Sequence, residues 1–272
     1  MKWIQFTIFL CLTAHVFCQG WMPQGGRSAA LGDASVAITD IYAFHHNPGA
    51  LGFLEEGAAS VSYQNRFLLR ELQSQSFTAA LPISKGVLSV GGQFYGYESF
   101  RTNRFGIGYA LPLNEKFALG TQINYLNLRL DPYYGVKHSV TGEIGALVKL
   151  SDELSIGASV FNLGRARLSD FKDDRLSTII RLGVAYKVIP ELLVTSEIFQ
   201  EIGFGTRLKA GLEYQPHDIL YLRLGAQGGP VEFSFGSGLN LKNVKLDLAT
   251  HYHQLLGWTP HIAFIYSFAN GE

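Results

Sequence analysis

From about residue 58 to the end of the chain, polar and apolar side chains alternate with a period of two. This period is typical of β-strands, because successive side chains of a strand point to opposite faces of the sheet. In residues 205–214, Arg207, Lys209 and Glu213 share one face and leucines occupy the other. The alternation therefore predicts an all-β protein.

Fourteen segments follow this pattern, and many of them are about 9–13 residues long. Ordinary strands have about 5–6 residues, whereas a tilted strand needs roughly 9–11 residues to cross a bilayer. Bacterial outer-membrane barrels have an even number of strands. The segments predict a transmembrane antiparallel β-barrel of about 14 strands, near residues 58–67, 74–81, 86–97, 101–112, 117–130, 138–150, 154–161, 178–187, 192–200, 205–214, 220–228, 232–240, 244–253 and 260–268.

The connections between these segments alternate in length. Every second one is short and rich in turn residues; these are Pro82–Lys85, Pro112–Lys116, Ser151–Glu153, Val188–Glu191, Gln215–Ile219 and Leu241–Asn243. The longest connection, Asn162–Ser177, lies on the other side and is interpreted either as a solvated loop or as a docking site. Short turns on one side and longer loops on the other are the layout of outer-membrane barrels, whose short turns face the periplasm.

The composition excludes several other classes of protein. Hydrophobic residues make up 47% of the chain, which excludes intrinsic disorder. The 22 basic residues equal the 22 acidic ones, so no positive charge is in excess to bind nucleic acid. Charged residues reach only 16%, against about 25% in soluble domains. A soluble β-sandwich or propeller also alternates, but strand length, turn lengths and low charge favour the membrane barrel.

The N-terminus predicts export. Residues 1–18 combine Lys2 with an apolar stretch and are interpreted as a cleaved signal peptide. A membrane anchor needs more apolar residues to span the bilayer, and Phe17 disfavours a lipoprotein site at Cys18. The other cysteine, Cys11, also lies in this signal, so the mature chain has no disulfide. The expected location is the bacterial outer membrane.

The polar face of the barrel is expected to line its lumen. The charges on this face are mixed in sign, which differs from the one-sign rings of strongly ion-selective pores. Such charges either hold a plug or border a hydrated path, and glycines on the same face leave room for a plug to pack. The predicted lumen charge network consists of Arg66, Arg104, Glu143, Arg181, Glu197, Arg207, Lys209, Glu213 and Arg223, to which Lys149, Glu232, Lys245 and Asp247 are added.

One segment breaks the alternation. Within residues 117–130, Leu126 and the leucines after it take the face held earlier by Gln122 and Asn124. This change of phase predicts a β-bulge, or a strand that leaves the membrane.

Residues 19–57 do not alternate and are predicted to form a plug segment, followed by the barrel over residues 58–272. Glycines in this segment permit tight turns, and Asn47-Pro48-Gly49 is a turn signal. The residues that define the predicted plug motif are Gly25, Gly26, Arg27, Ser28, Gly32, Asp33, Asn47 and Pro48.

The run GGRSAALGDASVA at residues 25–37, followed by NPGAL at 47–51, resembles the opening of the PorV/PorQ family of outer-membrane proteins. That family opens with G-R-S-A-x-x-G-x-A-x-x-A and then N-P-A-x-L, so Gly49 is a mild departure. The resemblance covers about 30 residues. It implies a barrel related to FadL-type proteins, in bacteria that use type IX secretion, where family members act as accessory subunits of secretion or surface-attachment machinery.

The sequence has no G-x-S-x-G and no H-E-x-x-H motif. His251 and His253 share a strand face, but no further ligand residues cluster with them. Neither an enzymatic activity nor a cofactor is expected. The aromatic residues expected at the membrane interfaces are Trp21, Tyr133, Tyr134, Tyr252 and Trp258.

Two functional hypotheses result. The first is an accessory or structural subunit of an outer-membrane protein complex, linked to type IX secretion or surface-protein biogenesis. The alternative is a FadL-like barrel for the passage of small hydrophobic compounds. The expected partners are other outer-membrane proteins and the lipid bilayer, without nucleic acid.

Overall fold

A computed structural model of the chain describes residues 23–130, 135–169 and 174–268. The predicted signal peptide, both cysteines, Trp21, Tyr133 and Tyr134 lie outside the described residues. The described strands are β1 (Ala58–Asn65), β2 (Gln73–Ile83), β3 (Gly86–Tyr97), β4 (Phe100–Pro112), β5 (Phe117–Leu130), β6 (Val136–Lys149), β7 (Leu154–Phe161), β8 (Arg167–Ser169), β9 (Asp174–Arg175), β10 (Ile179–Ile189), β11 (Leu192–Glu201), β12 (Arg207–His217), β13 (Leu220–Gln227), β14 (Glu232–Leu241), β15 (Val244–His253) and β16 (Gly257–Ser267).

All strands except β8 and β9 join in one closed antiparallel barrel, in which each strand pairs with its neighbours along the chain. The barrel closes where β1 pairs with β16, with Ala58 opposite Ser267. A closed sheet has no edge strand, so its backbone groups find their partners within the sheet. The prediction of a fourteen-strand antiparallel barrel is confirmed.

Strand β5 corrects one expectation. Its register with β4 runs without a shift from Leu130 to Ala118, so the predicted bulge is wrong. The Leu126 side chain stays on the inner face and packs against Phe161, Ile179 and Phe199. The change from polar to apolar residues therefore marks a local apolar area inside the barrel and not an interruption of the strand.

The outer wall of the barrel is apolar. The most exposed examples are Ile107, Ile123, Val140 and Leu208, each more than 60% exposed. Exposure of large apolar side chains to this extent would be unfavourable in water. Tyr252 and Trp258 lie next to each other on this wall, with ring centroids 4.7 Å apart. None of the described helices is long and apolar enough to cross a membrane.

The core of the protein is formed by the N-terminal segment, here residues 23–57, together with the inner wall. The segment contains helix α1 (Gly26–Ala30), helix α2 (Ala43–His46) and a 3-10 helix (Pro48–Phe53). Helix α1 contacts strands β13 to β16, and the 3-10 helix contacts strands β3 to β7 on another part of the wall. The segment also holds many of the largest fully buried side chains: Leu31, Val36, Ile41, Tyr42, Phe44, His45, His46, Asn47 and Leu51.

The segment packs against nine inward-facing glycines, which lie on nine different strands. A Cβ atom at any of them would lie 3.0 Å or less from an atom of the segment. A side chain at any of these positions would force the wall or the segment to shift, because real Cβ atoms essentially never approach a neighbour more closely than 3.0 Å. These residues, here called the glycine belt, are Gly91, Gly106, Gly120, Gly145, Gly157, Gly183, Gly211, Gly225 and Gly236.

Strand β6 offers a direct test of the glycine belt. We expect Gly145→Ala to destabilise the folded barrel by about 1–3 kcal/mol, because the new methyl group overlaps the Asn47 side chain. Gly142→Ala is the matched control, since a Cβ at this position of the same strand meets nothing within 4 Å. Unfolding temperatures in detergent measure both effects, and equal temperatures for the two variants would contradict the belt.

Candidate functional site

The candidate site is the inner wall together with the segment that it encloses. Two glycines of the predicted plug motif have backbone angles that favour glycine. Gly25 has φ 97° and faces the ring of Tyr42, and Gly32 has φ 64° and lies against the backbone of Ala226. A Cβ at either position would lie 2.5–2.7 Å from these atoms. The motif glycines are therefore required by close packing at these two points.

Asn47 ties the segment to itself and to the wall. Its side-chain amide donates hydrogen bonds to the carbonyl of Val36 at 2.7 Å and to that of Ala146 at 2.9 Å. Its Oδ1 atom accepts one from the Gly49 amide at 3.0 Å, which caps the 3-10 helix. A Cβ at Gly49 would lie 2.5 Å from the Gly145 backbone. This contact explains why glycine stands here, where the resembling motif has alanine.

On the side of the short turns, Arg27 fastens helix α1 to the wall. Its guanidinium donates to both carboxylate oxygens of Glu213, at 2.8 and 2.6 Å, and lies 3.4 Å from Asp40. Arg223 binds the same Glu213 at 2.6 Å and also binds Asp247. A cavity of about 100 Å³ borders this network. The Arg27 contacts cross between segment and barrel, so they link helix α1 to Glu213 of strand β12.

On the side of the loops, Glu197 is the centre of a second network. Its carboxylate accepts hydrogen bonds from the backbone amides of Ser35 and Val36, both at 3.0 Å. Lys209 lies 3.4 Å and Arg181 3.9 Å from its other oxygen. The Glu197 side chain is fully buried. A buried carboxylate is costly unless several partners surround it. Two of the four partners of Glu197 come from the segment.

Two further ion pairs belong to the same side of the barrel. Arg104 lies 3.1 Å from Glu143, and its Nε atom donates to Asn124 at 2.8 Å. Arg207 lies 3.5 Å from Glu201 near the mouth. These pairs join neighbouring parts of the inner wall to one another.

His46 connects the segment to the second network as a neutral ring. Its Nδ1 atom accepts a hydrogen bond from Arg181 at 2.9 Å, so its Nε2 atom carries the proton and donates to the Gln24 carbonyl at 2.7 Å. Burial, followed by the positive charge of Arg181, holds the pKa of His46 well below 6.5. The neighbouring His45 has a lowered pKa for the same reasons, with Arg104 and Arg181 as the charges.

The structure places most of the predicted lumen charges on the inner face, but Arg66 differs. Strand β1 ends at Asn65, and Arg66 begins a short 3-10 helix, where its guanidinium lies 5.0 Å from the centre of the Phe67 ring. Arg66 therefore lies just past the last residue of β1, and its place in the lumen charge network stays a prediction.

The structure gives the two histidines of β15 different surroundings. His251 is buried, and its Nδ1 atom lies 2.8 Å from the Ser234 hydroxyl. His253 lies at the end of β15, where its ring accepts hydrogen bonds from the backbone amides of Leu255 and Leu256. Within residues 23–130, 135–169 and 174–268, no group of three or more potential metal ligands converges.

An apolar cluster that the sequence did not indicate lies inside the barrel on the loop side. Phe161, Ile179 and Phe199 are buried together, and Leu126 packs against them. Four cations approach the aromatic rings: Lys209 and Arg207 lie 4.5 Å and Arg181 5.3 Å from the Phe199 centroid, and Arg104 lies 5.4 Å from that of Phe161. Such contacts are favourable, so the cluster and the second network stabilise each other.

Similarity between this chain and known proteins is found in the fold and not in the sequence. No family model and no curated protein sequence matches it. Among solved structures, the deltaS2 mutant of the TodX monoaromatic hydrocarbon channel matches with a TM-score of 0.68 and 14% identity, over 92% of this chain and 99% of that one. The Ralstonia pickettii toluene transporter TbuX matches with a TM-score of 0.65, 14% identity and the same coverage. A Pseudomonas aeruginosa FadL homologue matches with a TM-score of 0.58 and 11% identity, over 88% of this chain and 96% of that one.

The chain therefore has a FadL-like fold. At these identities the similarity concerns the fold alone, and the FadL-like barrel is the part of the sequence-based expectation that it confirms. The resemblance of the N-terminal motif to PorV/PorQ proteins stays a prediction, because no family model supports it.

Glu197 tests how the segment is bound. We expect Glu197→Gln to reduce the free energy of unfolding by about 3–5 kcal/mol, because Arg181 and Lys209 lose the carboxylate that neutralises them. Glu191→Gln, in the exposed turn before the same strand, should change it by less than about 0.5 kcal/mol. Denaturant unfolding of the purified barrel measures the difference, and a small effect of both variants would refute this role.

His46 predicts a dependence of stability on pH. Its pKa in the folded chain lies below the unfolded value of 6.5, so below pH 6.5 the unfolded chain binds a proton that the folded chain does not. Stability should then fall as the pH drops, by about 1.4 kcal/mol per unit more in the wild type than in His46→Gln. The free energies of unfolding of the wild type and of His46→Gln, measured between pH 8 and pH 5, test this. Their difference should be constant above pH 6.5 and should change with pH below it.

Proposed function

We propose that this chain is an outer-membrane barrel through which small hydrophobic compounds pass. The observation that carries the proposal is the fold: a closed fourteen-strand barrel around an N-terminal segment, similar over about nine tenths of its length to channels named for monoaromatic hydrocarbons and toluene. The proposal assigns the chain neither an enzymatic activity nor a cofactor.

The outer surface supports a position in a membrane. Large apolar side chains are exposed on strands around the barrel, and the adjacent Tyr252 and Trp258 are residues that favour a membrane interface. The predicted signal peptide accounts for export. We propose that the short turns face the periplasm and the longer loops the exterior, as is usual for such barrels.

The inner apolar cluster is the proposed first contact of a hydrophobic compound. Leu126, Phe161, Ile179 and Phe199 lie on the loop side of the segment, and the rest of the inner wall is mostly polar. A hydrophobic molecule that enters from the loops gains free energy by contact with this cluster. Onward passage requires the segment to shift from the glycine belt, which breaks the Arg27 and Glu197 contacts on the two sides of the barrel.

A second candidate is an accessory subunit of a larger outer-membrane complex, as the N-terminal resemblance implies. The close fit of the segment favours it, because the motif residues Gly25, Gly32 and Asn47 are all used in packing and hydrogen bonding. In this candidate the segment is a permanent brace and the partner is another outer-membrane protein. Purification from native membranes in mild detergent distinguishes the two, because a subunit emerges with its partner.

A whole-cell uptake assay tests the channel. We expect expression in a bacterium with an intact outer membrane to increase the oxidation of dilute toluene by a cytoplasmic reporter enzyme. Leu126→Asn should reduce this rate about tenfold, since a polar group in the apolar cluster weakens hydrophobic contact by roughly 1–3 kcal/mol. Leu113→Asn, in the exposed short turn between β4 and β5, should leave the rate unchanged. Uptake equal to that of cells without the protein would refute the channel.

A further inference from the structure

The charges on the outer wall have an unusual distribution. The alternation places the Lys, Arg, Asp and Glu residues of the fourteen barrel strands on the inner face, with two exceptions. The exceptions are Arg101 on β4 and Arg129 on β5, which are exposed and lie on the outer face. The strand register places them directly opposite each other. The outer wall described here therefore carries its charge at one position.

These two arginines have the same charge and take part in no ion pair among the described residues. Like charges directly opposite each other on neighbouring strands are destabilising. An anion bound between them would remove this repulsion. Gly96 of β3 lies opposite Arg101 on the other side and contributes no side chain of its own to the outer face.

The pair lies above the apolar part of the wall, on the loop side. Phe105 of β4 and Tyr125 of β5 form the nearest aromatic row, and four residues of a tilted strand separate Arg129 from it by about 10 Å along the barrel axis. The polar headgroup layer of a bilayer begins about 15 Å from its centre and is roughly 5–8 Å deep. If the aromatic row marks the edge of the hydrocarbon, the Arg129 backbone lies about 2–5 Å beyond the headgroup layer, and a long arginine side chain that extends back along the wall reaches the headgroups.

The row between the arginines and the aromatics is also polar. Asn103 lies opposite Asn127, and Asn127 lies opposite His138 on β6. His138 Nδ1 lies 2.6 Å from the Tyr125 hydroxyl and 3.3 Å from the Asn127 amide. Together with the two arginines, these three residues form what is here called the basic patch: Arg101, Asn103, Asn127, Arg129 and His138.

We propose that the basic patch binds the phosphate of an anionic lipid headgroup in the leaflet on the loop side. Guanidinium groups bind phosphate oxygens through paired hydrogen bonds, which gives both charge and geometric complementarity. A lipid fits better than free phosphate, because Phe105, Ile107, Ile123 and Tyr125 continue the same outer face below the patch and offer contact to acyl chains. This inference rests on the membrane position proposed above, but not on passage of any compound.

Native mass spectrometry of the full barrel in mild detergent tests the site. The probes are phosphatidic acid, phosphatidylcholine with the same acyl chains, and inorganic phosphate. We expect the wild type to retain phosphatidic acid in preference to the other two, and Arg101→Gln/Arg129→Gln to bind it at least about tenfold more weakly. Arg101→Lys/Arg129→Lys should be intermediate, because it keeps the charge and loses the paired hydrogen bonds.

The matched control is Lys85→Gln/Lys116→Gln, which removes the same charge from exposed short turns at the other end of the barrel. It should bind phosphatidic acid like the wild type. Equal binding by all variants, or binding of inorganic phosphate as strong as that of the lipid, would overturn the proposal. Lipid binding with no toluene uptake would refute the channel alone, and uptake with no lipid selectivity would refute the lipid site alone.

Discussion

The rest of this structure depends on the wide space that fourteen strands enclose. A barrel of eight strands is filled by its own side chains, whereas wider ones leave an interior that must be filled or hydrated. Here residues 23–57 fill it, and the wall makes room for them with the glycine belt. The core is therefore not two packed sheets but a ring around a short, mostly apolar segment. Substitutions in the ring and in the segment act on the same contacts.

The buried charges follow from this arrangement. A carboxylate such as Glu197 is costly to bury unless partners surround it. Its partners are two cations of the wall and two backbone amides of the segment, so wall and segment neutralise it jointly. On the other side, Glu213 joins Arg27 of the segment to Arg223 of the wall. The mixed signs that the sequence shows on the inner face are thus explained by pairing.

Much of the fold is encoded locally and could be predicted. The period of two and the turn residues located the fourteen strands, because both signals lie within a few neighbouring residues. The opposition of Arg101 and Arg129 could not be predicted, because it depends on the register between strands. Leu126 gave a signal in its change of phase, but its partners Phe161, Ile179 and Phe199 are distant in sequence and become neighbours only when the barrel closes. The end of β1 at Asn65, just before Arg66, is not visible in the alternation.

The seam between β1 and β16 has a consequence for how the molecule is made. The segment is joined directly to β1, and it touches strands on both sides of the barrel. A finished ring has no gap through which such a piece, held at nine side-chain-free positions, enters sideways. The place that the segment occupies is accessible only through the two open ends of the ring, or through the seam before β1 meets β16. Because the segment is covalently joined to β1, the filling of the interior and the closing of the seam involve the same end of the chain.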